Sequence, residues 1–240
     1  MLLQTLPFFG NSWCKDCPLI KRFMKGVYFQ RKPKPRYLYT WDVSCVLKYL
    51  SSLFPLHKLS LKLLTFKVVA LIALATAPRA QTLVSMDLDY MLIKENQVVF
   101  SFPDLLKTSR EGHSFSLTLN HYKDEKLCVM HTLLFYLEKV QTKRLSKKVL
   151  VSYVTYKEVC TSTVARWLKS ILELSGIDTK VFKAHSYRAA STSAAFNRGC
   201  SLKTILSTAD WSSDKNFKKF YCRESVKSNH MSFADAVFQK

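Results

Sequence analysis

Three short motifs in the last third of the chain decide its fold: AHSYRAA at residues 184–190, ADW at 209–211 and FKKFY at 217–221. His185 and Arg188 are three residues apart, so on a helix they share one face. The planar Arg side chain matches two phosphate oxygens, and His can hold or relay a proton near neutral pH. The pair is therefore suited to binding a phosphate group. Taken alone, however, this spacing is more often that of a solvated surface pair.

The aromatic residues of these motifs are, by their own spacing, typical of a protein core. Phe217, Phe220 and Tyr221 fall at positions i, i+3 and i+4, which form one stripe on a helix. Trp211 is a large apolar side chain of the kind that usually anchors packing. Taken alone, these residues predict packing rather than chemistry.

Upstream of these motifs, the pattern predicts two core helices. Asp42 is a good N-cap for a periodic apolar stretch that Pro55 ends. A second helix, over about residues 60–77, is apolar almost all round and should be buried. Pro78 stops this helix and leaves Arg79 just past its end.

Between the core helices and the C-terminal motifs, the sequence predicts a small antiparallel sheet. Residues 91–93 and 97–102 flank a polar turn at 94–96, and residues 114–120 alternate apolar and polar side chains. Helical periodicity then returns in five further segments, at about residues 127–139, 162–175, 186–198, 201–208 and 213–221. We therefore predict an α+β fold, mostly helical, with a three-stranded antiparallel sheet.

The charge of the chain points to a polyanionic partner. There are 37 Lys and Arg residues against 17 Asp and Glu, a net charge of +20. Such an excess is self-repelling unless a polyanion relieves it; nucleic acid is the commonest such partner and acidic lipid the second. A protein that is simply rich in Lys would show the same charge.

Cysteine usage and hydropathy predict a reducing compartment. The seven cysteines are scattered and odd in number, which is atypical of a disulfide framework. The charge-free run at residues 68–78 is too short to span a bilayer. Residues 1–10 are apolar but lack the basic segment of a signal peptide. We therefore expect the protein in the cytosol or the nucleus, without a membrane-spanning segment.

Taken together in chain order, these motifs resemble the active site of the tyrosine recombinase (phage integrase) family, and most closely that of the recombinases of DIRS-like retrotransposons. In that family the site reads Arg, Lys, His-x-x-Arg, His or Trp, and Tyr. The resemblance covers residues 41–223 and implies the tyrosine-recombinase catalytic-domain fold. The matching residues are Arg79, Lys107, His185, Arg188, Trp211 and Tyr221.

The resemblance implies a role for each of these residues. Tyr221 would attack a DNA phosphodiester and form a 3′-phosphotyrosyl bond. His185 would position or deprotonate Tyr221, and Lys107 would give a proton to the departing 5′-oxygen. Arg79 and Arg188 would brace the phosphate oxygens.

In the same scheme Trp211 would pack against the site and donate its indole N–H to the phosphate. The covalent link conserves the phosphodiester energy, so the resemblance implies an enzyme that needs no cofactor, metal ion or ATP.

The resemblance also implies partners. These are double-stranded DNA and further copies of the chain, assembled as a tetramer on DNA. The action would be nuclear if the source is a eukaryotic mobile element and cytoplasmic otherwise. DNA contacts are expected from a set of basic residues: Lys143, Arg144, Lys147, Lys148, Arg166, Lys169, Lys180, Lys183, Arg198, Lys203, Lys218 and Lys219.

Three departures from the family pattern leave alternatives open. Thr82 stands where the family often has an acidic residue, three places after its first Arg. Lys94, in the neighbouring turn, competes with Lys107 for the role of the catalytic Lys. Residues 1–40 are too few for the N-terminal half of the family's DNA clamp, so we expect a truncated chain, a fragment or a degenerate copy of an element.

The expected domains are therefore a lead-in with a basic linker (1–40), a catalytic domain (41–228) and a tail helix (229–240), which could pack on a neighbouring protomer or in cis. The main alternative function is a non-catalytic DNA-binding relic of a mobile element. A helical transcription regulator would leave Arg79 and Lys107 unexplained, and a type IB topoisomerase would normally need a much larger clamp.

Overall fold

A computed structural model of the chain describes residues 17–32, 34–103, 115–211 and 213–223. The chain divides into two compact units, Met1–Arg36 and Tyr37–Lys240. The first unit contains helix α1 (Pro18–Gln30), which has Pro at its first position and no buried residue. The fixed φ of Pro suits that position. The sequence analysis treated residues 1–40 as a lead-in and did not predict this helix.

The second unit is mostly helical, as predicted. Its helices and strands are, in chain order, α2 (Val43–Ser52), α3 (Leu61–Thr76), α4 (Ala80–Ser85), β1 (Met91–Lys94), β2 (Gln97–Ser101), β3 (Ser116–Asn120), α5 (Val129–Val140), α6 (Thr161–Leu174), α7 (Ser186–Asn197), α8 (Leu202–Thr208) and α9 (Asp214–Asn216). Helix α9 continues directly into a π-helical turn, Phe217–Tyr221.

Helix α3 is the centre of the core. It is apolar on nearly every face, so burial on all sides stabilises it, and it packs against α5, α6, α7 and β3. The Ser60 hydroxyl accepts a hydrogen bond from the Leu63 amide and caps its start. Among the helices that the structure describes, none combines the length and the apolar character needed to cross a membrane.

The sheet is antiparallel with strand order β1-β2-β3, as predicted. Val98 pairs with Leu119 and Phe100 with Leu117, and all four side chains are buried on one face. The residues between them are more exposed, because successive side chains of a strand point to opposite faces.

Helix α7 is anchored at its start to the beginning of the second unit. The Trp41 indole N–H donates to the Ser186 hydroxyl oxygen at 2.8 Å, and the Trp41 ring packs edge-on against Tyr187. Every residue from Ser186 to Ser193 is buried. The residues at the start of α7 are therefore held by the core.

The helices predicted within the described part of the second unit are confirmed to within one or two residues, with two differences. Helix α4 was not predicted, since six residues carry too little periodicity to stand out. The helix expected over 213–221 is divided into α9 and the π-helical turn. The expected tail helix at 229–240 lies outside the described residues.

Candidate active site

Arg188 joins two distant segments of the chain at one buried point. Its side chain is 3% exposed, and its guanidinium donates hydrogen bonds to the carbonyl oxygens of Ala77 and Ala209. Ala77 ends α3 in a left-handed conformation with φ of 45°, two residues before Arg79. The Arg188 guanidinium carbon also lies 4.3 Å from the centre of the Trp211 ring. The Arg79, His-x-x-Arg and Trp211 motifs therefore meet at this residue.

The electrostatics around Arg188 favour an anion. Burial and, to a smaller extent, the like charge of Arg79 lower the pKa of Arg188 to about 10, while Tyr221 and Asp210 act in the opposite direction. The group is still a cation at neutral pH. Its Nε is buried and has no hydrogen-bond partner among the described residues. An unsatisfied buried N–H costs about 1–3 kcal/mol, so an anionic oxygen bound there would stabilise the site.

Arg79 lies near enough to Arg188 for its positive charge to lower the pKa of that residue. It is the N-cap residue of α4, directly after Pro78, and is partly exposed. The two like charges repel each other, and a phosphate bound by both guanidinium groups would offset this repulsion. Thr82 is buried on α4, three residues after Arg79.

Tyr221 faces His185 across the same site. The Tyr221 hydroxyl and His185 Nε2 are 3.4 Å apart, at the long end of hydrogen-bonding distance. His185 is exposed immediately before α7, and Tyr221 is partly exposed at the end of the π-helical turn. The Tyr221 ring is also 4.7 Å from the Trp211 ring and 5.8 Å from the Arg188 guanidinium carbon.

The segment that carries Tyr221, residues 213–223, is called here the C-terminal arm. Phe217 is its only buried residue and packs between Phe196 of α7 and Trp211, with ring centres 5.7 Å and 5.6 Å away. The expectation that the aromatic stripe belongs to the core therefore holds for Phe217 and does not extend to Tyr221.

The structure thus brings together five of the six predicted site residues: Arg79, His185, Arg188, Trp211 and Tyr221. Lys107 lies outside the described residues. Its competitor Lys94 is the last residue of β1, exposed and paired in the sheet with Gln97. The choice between the two lysines stays open.

Asp210 is a residue of the site that the sequence analysis did not single out. It is 8% exposed, and its negative charge favours the charged form of Arg188. Its backbone φ is 51°, a left-handed conformation that Asp tolerates better than most residues. The Asp next to Trp211 was therefore a signal for a tight turn that places Trp211 beside Arg188.

Several of the expected DNA-contacting residues already have protein partners. The Arg144 guanidinium is half-buried and donates to the carbonyl oxygens of Ser146, Lys148 and Val149, so it holds a loop together. Four lysines pair with carboxylates: Lys147 with Asp89, Lys148 with Asp87, Lys169 with Glu173 and Lys218 with Asp214. These contacts reduce what the five residues can offer to DNA.

The fold and the order of motifs together define the catalytic-domain fold of a tyrosine recombinase. The phage integrase family profile matches residues 48–227, three quarters of the chain. The chain therefore belongs to the phage integrase family. The comparison with curated protein sequences found no match.

Solved structures with the same fold include three recombinases. The post-cleavage complex of XerH site-specific recombinase with palindromic difH substrate has a TM-score of 0.57 at 9% identity, covering 74% of this chain and 48% of XerH. XerA recombinase has a TM-score of 0.57 at 15% identity, covering 84% and 64%. A lambda integrase dimer on a COC′ core site has a TM-score of 0.56 at 14% identity, covering 85% and 52%.

At such low identity the likeness concerns the fold. The chain spans about half to two thirds of the length of these recombinases, with 48% as the lowest coverage and 64% as the highest.

Proposed function

We propose that this chain breaks and rejoins DNA strands by the tyrosine recombinase reaction, with Tyr221 as the nucleophile. The observation that carries the proposal is the pairing of the Tyr221 hydroxyl with His185 Nε2 at 3.4 Å, beside a buried Arg188 whose Nε has no partner within the described part of the chain. A phenol, a proton acceptor and an anion-binding guanidinium at one point are what phosphodiester transfer requires.

In the proposed reaction the Tyr221 oxygen attacks the phosphorus and gives its proton to His185. The bond from phosphorus to the 5′-oxygen breaks, which leaves a 3′-phosphotyrosine and a 5′-hydroxyl. Arg79 and Arg188 stabilise the negative charge that builds on the non-bridging oxygens. Lys107, or Lys94 in its place, supplies the proton that the 5′-oxygen takes up.

The second half of the reaction reverses the first. A 5′-hydroxyl from another strand attacks the phosphotyrosine, and Tyr221 recovers its proton as it leaves. One phosphodiester is lost and one is formed, so the reaction scheme needs no ATP and routes no step through a metal ion or another cofactor.

The proposed partner is double-stranded DNA. The net charge of +20 supports it, because cations that neutralise phosphates release counterions and so favour binding. XerH and lambda integrase have been solved on DNA, the latter both as a dimer on a core site and as a tetramer on a Holliday junction. We propose that this chain likewise acts as a homo-oligomer on DNA.

The order and type of the site residues also support an origin among recombinases of DIRS-like retrotransposons. In that case the reaction would take place in the nucleus and would insert or rearrange element DNA. The family resemblance of the motifs is the support for this finer assignment.

The test is a covalent trapping experiment. The purified chain is incubated with labelled nicked duplexes of randomised core sequence, in which cleavage releases a short 5′-hydroxyl strand and prevents rejoining. Protein is then denatured in hot detergent and separated on a gel. We expect a DNA-linked band that persists in the presence of a chelator.

The matched variants are Tyr221→Phe and Tyr122→Phe. Tyr122 is 48% exposed on the surface, so its hydroxyl can be removed without a packing change. The band should vanish in Tyr221→Phe and stay in Tyr122→Phe. An absent band with salt-sensitive DNA binding retained would instead support the non-catalytic DNA-binding relic.

A further inference from the structure

A single buried hydroxyl holds the backbone on both sides of Cys222. The Ser193 Oγ donates a hydrogen bond to the carbonyl oxygen of Tyr221 at 2.7 Å and accepts one from the amide of Arg223 at 3.0 Å. The Ser193 side chain is 1% exposed. One hydroxyl can donate once and accept as well, so both bonds are compatible.

These hydrogen bonds lie at the end of the π-helical turn, where backbone groups lack partners within the helix. The carbonyl groups at the end of a helix lack the partners that the next turn would supply. After the π-helical turn, the Cys222 amide still bonds to the Phe217 carbonyl oxygen at 2.8 Å. Ser193 takes over from there and satisfies the groups of Tyr221 and Arg223 that the helix leaves open.

Ser193 lies on the same helix as another residue of the candidate site. Ser193 belongs to α7, the helix that also carries Arg188 and that begins directly after His185. The hydroxyl therefore links the backbone of Tyr221 to the same rigid element that presents the two groups Tyr221 must meet. The arm is held further by Arg223, whose Nε donates to the carbonyl oxygen of Tyr37 at 3.0 Å.

We infer that Ser193 is a positioning residue for Tyr221. Its hydroxyl sets the distance between the Tyr221 phenol and the His185 and Arg188 side chains, and it does so without touching DNA. The inference rests on the proposed function and adds to it a residue outside the set of groups that contact the phosphate.

The competing explanation is that Ser193 only contributes to folding. Ser191 is a matched control for that explanation. It is the same residue type on the same helix, 8% exposed, and its hydroxyl bonds to the Arg188 carbonyl oxygen at 3.5 Å, within its own helix. Ser191→Ala removes a buried hydroxyl from the same helix without releasing the arm.

The experiment compares Ser193→Ala, Ser193→Thr and Ser191→Ala in single-turnover cleavage at saturating nicked DNA. A displacement of reacting atoms by about 1 Å can cost about 100-fold in rate, so we expect Ser193→Ala to cleave about 10- to 100-fold more slowly. Its dissociation constant for DNA should stay within about twofold of the wild type, because no phosphate contact is lost. Ser193→Thr, which keeps the hydroxyl, should recover most of the rate.

A second measurement tests the two Ser193 hydrogen bonds without using activity. Hydrogen exchange of the arm, followed by mass spectrometry or by the Arg223 amide signal, should be faster in Ser193→Ala and unchanged in Ser191→Ala. Unchanged exchange in Ser193→Ala would overturn the inference. So would wild-type cleavage by that variant, or an equal loss of cleavage in Ser191→Ala.

The two measurements also separate this inference from the proposed function. If the wild type forms no covalent adduct although Ser193→Ala releases the arm, the proposed function fails. The Ser193 hydrogen bonds then have only a structural role. If the wild type forms the adduct and Ser193→Ala leaves rate and exchange unchanged, the proposed function stands and the role of Ser193 is wrong.

Discussion

The two sides of the candidate site are built differently. On one side, α7 is buried along residues 186–193, and Arg188 is bonded to carbonyl oxygens from two other segments. On the other side, the C-terminal arm buries only Phe217 and is held by that ring, by Ser193 and by Arg223. The side that carries Arg188 is thus part of the core, whereas the side that carries Tyr221 is attached to the core by a few contacts.

Because of this difference, we expect substitutions on the two sides of the site to have different effects on stability and on activity. A segment with few buried apolar contacts opens locally at low cost, while a core helix opens only when the domain unfolds. Changes at Arg188, which ties α7 to two other segments, should therefore affect folding and cleavage together. Changes in the arm should affect cleavage far more than folding.

The largest effect is expected at Arg188. In Arg188→Ala the carbonyl groups of Ala77 and Ala209 lose their buried donor, so we expect the free energy of unfolding to fall by about 3 kcal/mol. The loss of a phosphate contact should slow cleavage by at least about 100-fold. Urea denaturation and the covalent trapping assay measure the two effects.

Arg188→Lys is the control for charge. Lys keeps the cation but cannot reach two carbonyl oxygens in the planar geometry of Arg, so both losses should be intermediate. An Arg188→Ala variant as stable as the wild type would show that α7 is not tied to the core through this residue.

A second test compares Phe217→Ala in the arm with Leu64→Ala in the core helix α3. Leu64 is fully buried in α3, so its truncation should lower the free energy of unfolding by about 3 kcal/mol and leave cleavage by the folded protein unchanged. Phe217→Ala should release the arm instead, with a loss of less than about 1.5 kcal/mol and cleavage slowed about 10- to 100-fold. Equal stability losses in the two variants would mean that the arm and the core unfold as one.

The smallest effect concerns Lys67, which is fully buried in α3 and donates to the Leu53 carbonyl oxygen at 2.7 Å. Burial lowers the pKa of Lys67 to about 8 from 10.5, while the negative charge of Asp124 acts in the opposite direction. Between these values the unfolded chain holds the proton more tightly, so the free energy of unfolding should rise with pH. The slope should be at most about 1.4 kcal/mol per pH unit.

The measurement is urea denaturation between about pH 7.5 and 9.5. Above about pH 10 the effect reverses, because burial raises the pKa of Tyr136 and Tyr187 and the unfolded chain loses those protons first. The slope should decrease in Lys67→Met and stay unchanged in Phe217→Ala, since Lys67 lies in the core and not in the arm. Part of it should remain in Lys67→Met, because hydrogen bonds from Ser162 and Thr163 lower the pKa of Cys160 to about 6. A slope unaffected by Lys67→Met would assign it to another group.

Local pattern was sufficient for most helices and strands. Helix α3 was predictable because it is apolar all round and because Ser60 and Pro78 lie just outside its ends. The first two strands were predictable because they flank a polar turn, and the third because alternation with a period of two is visible in Leu117 and Leu119. Helix α1 was missed although Pro18 is a good first residue, since the prolines and basic residues after it dominated the interpretation of that region.

By itself the sequence determined the kinds of chemical group available and their order along the chain: Arg79, the His185 and Arg188 pair, Trp211 and Tyr221. Only the tertiary structure decided which of them are buried, which meet and what holds them. Arg188 bonds to a carbonyl oxygen 111 residues away, and Ser193 to one 28 residues away. Such contacts depend on how whole helices pack, so no local spacing predicts them.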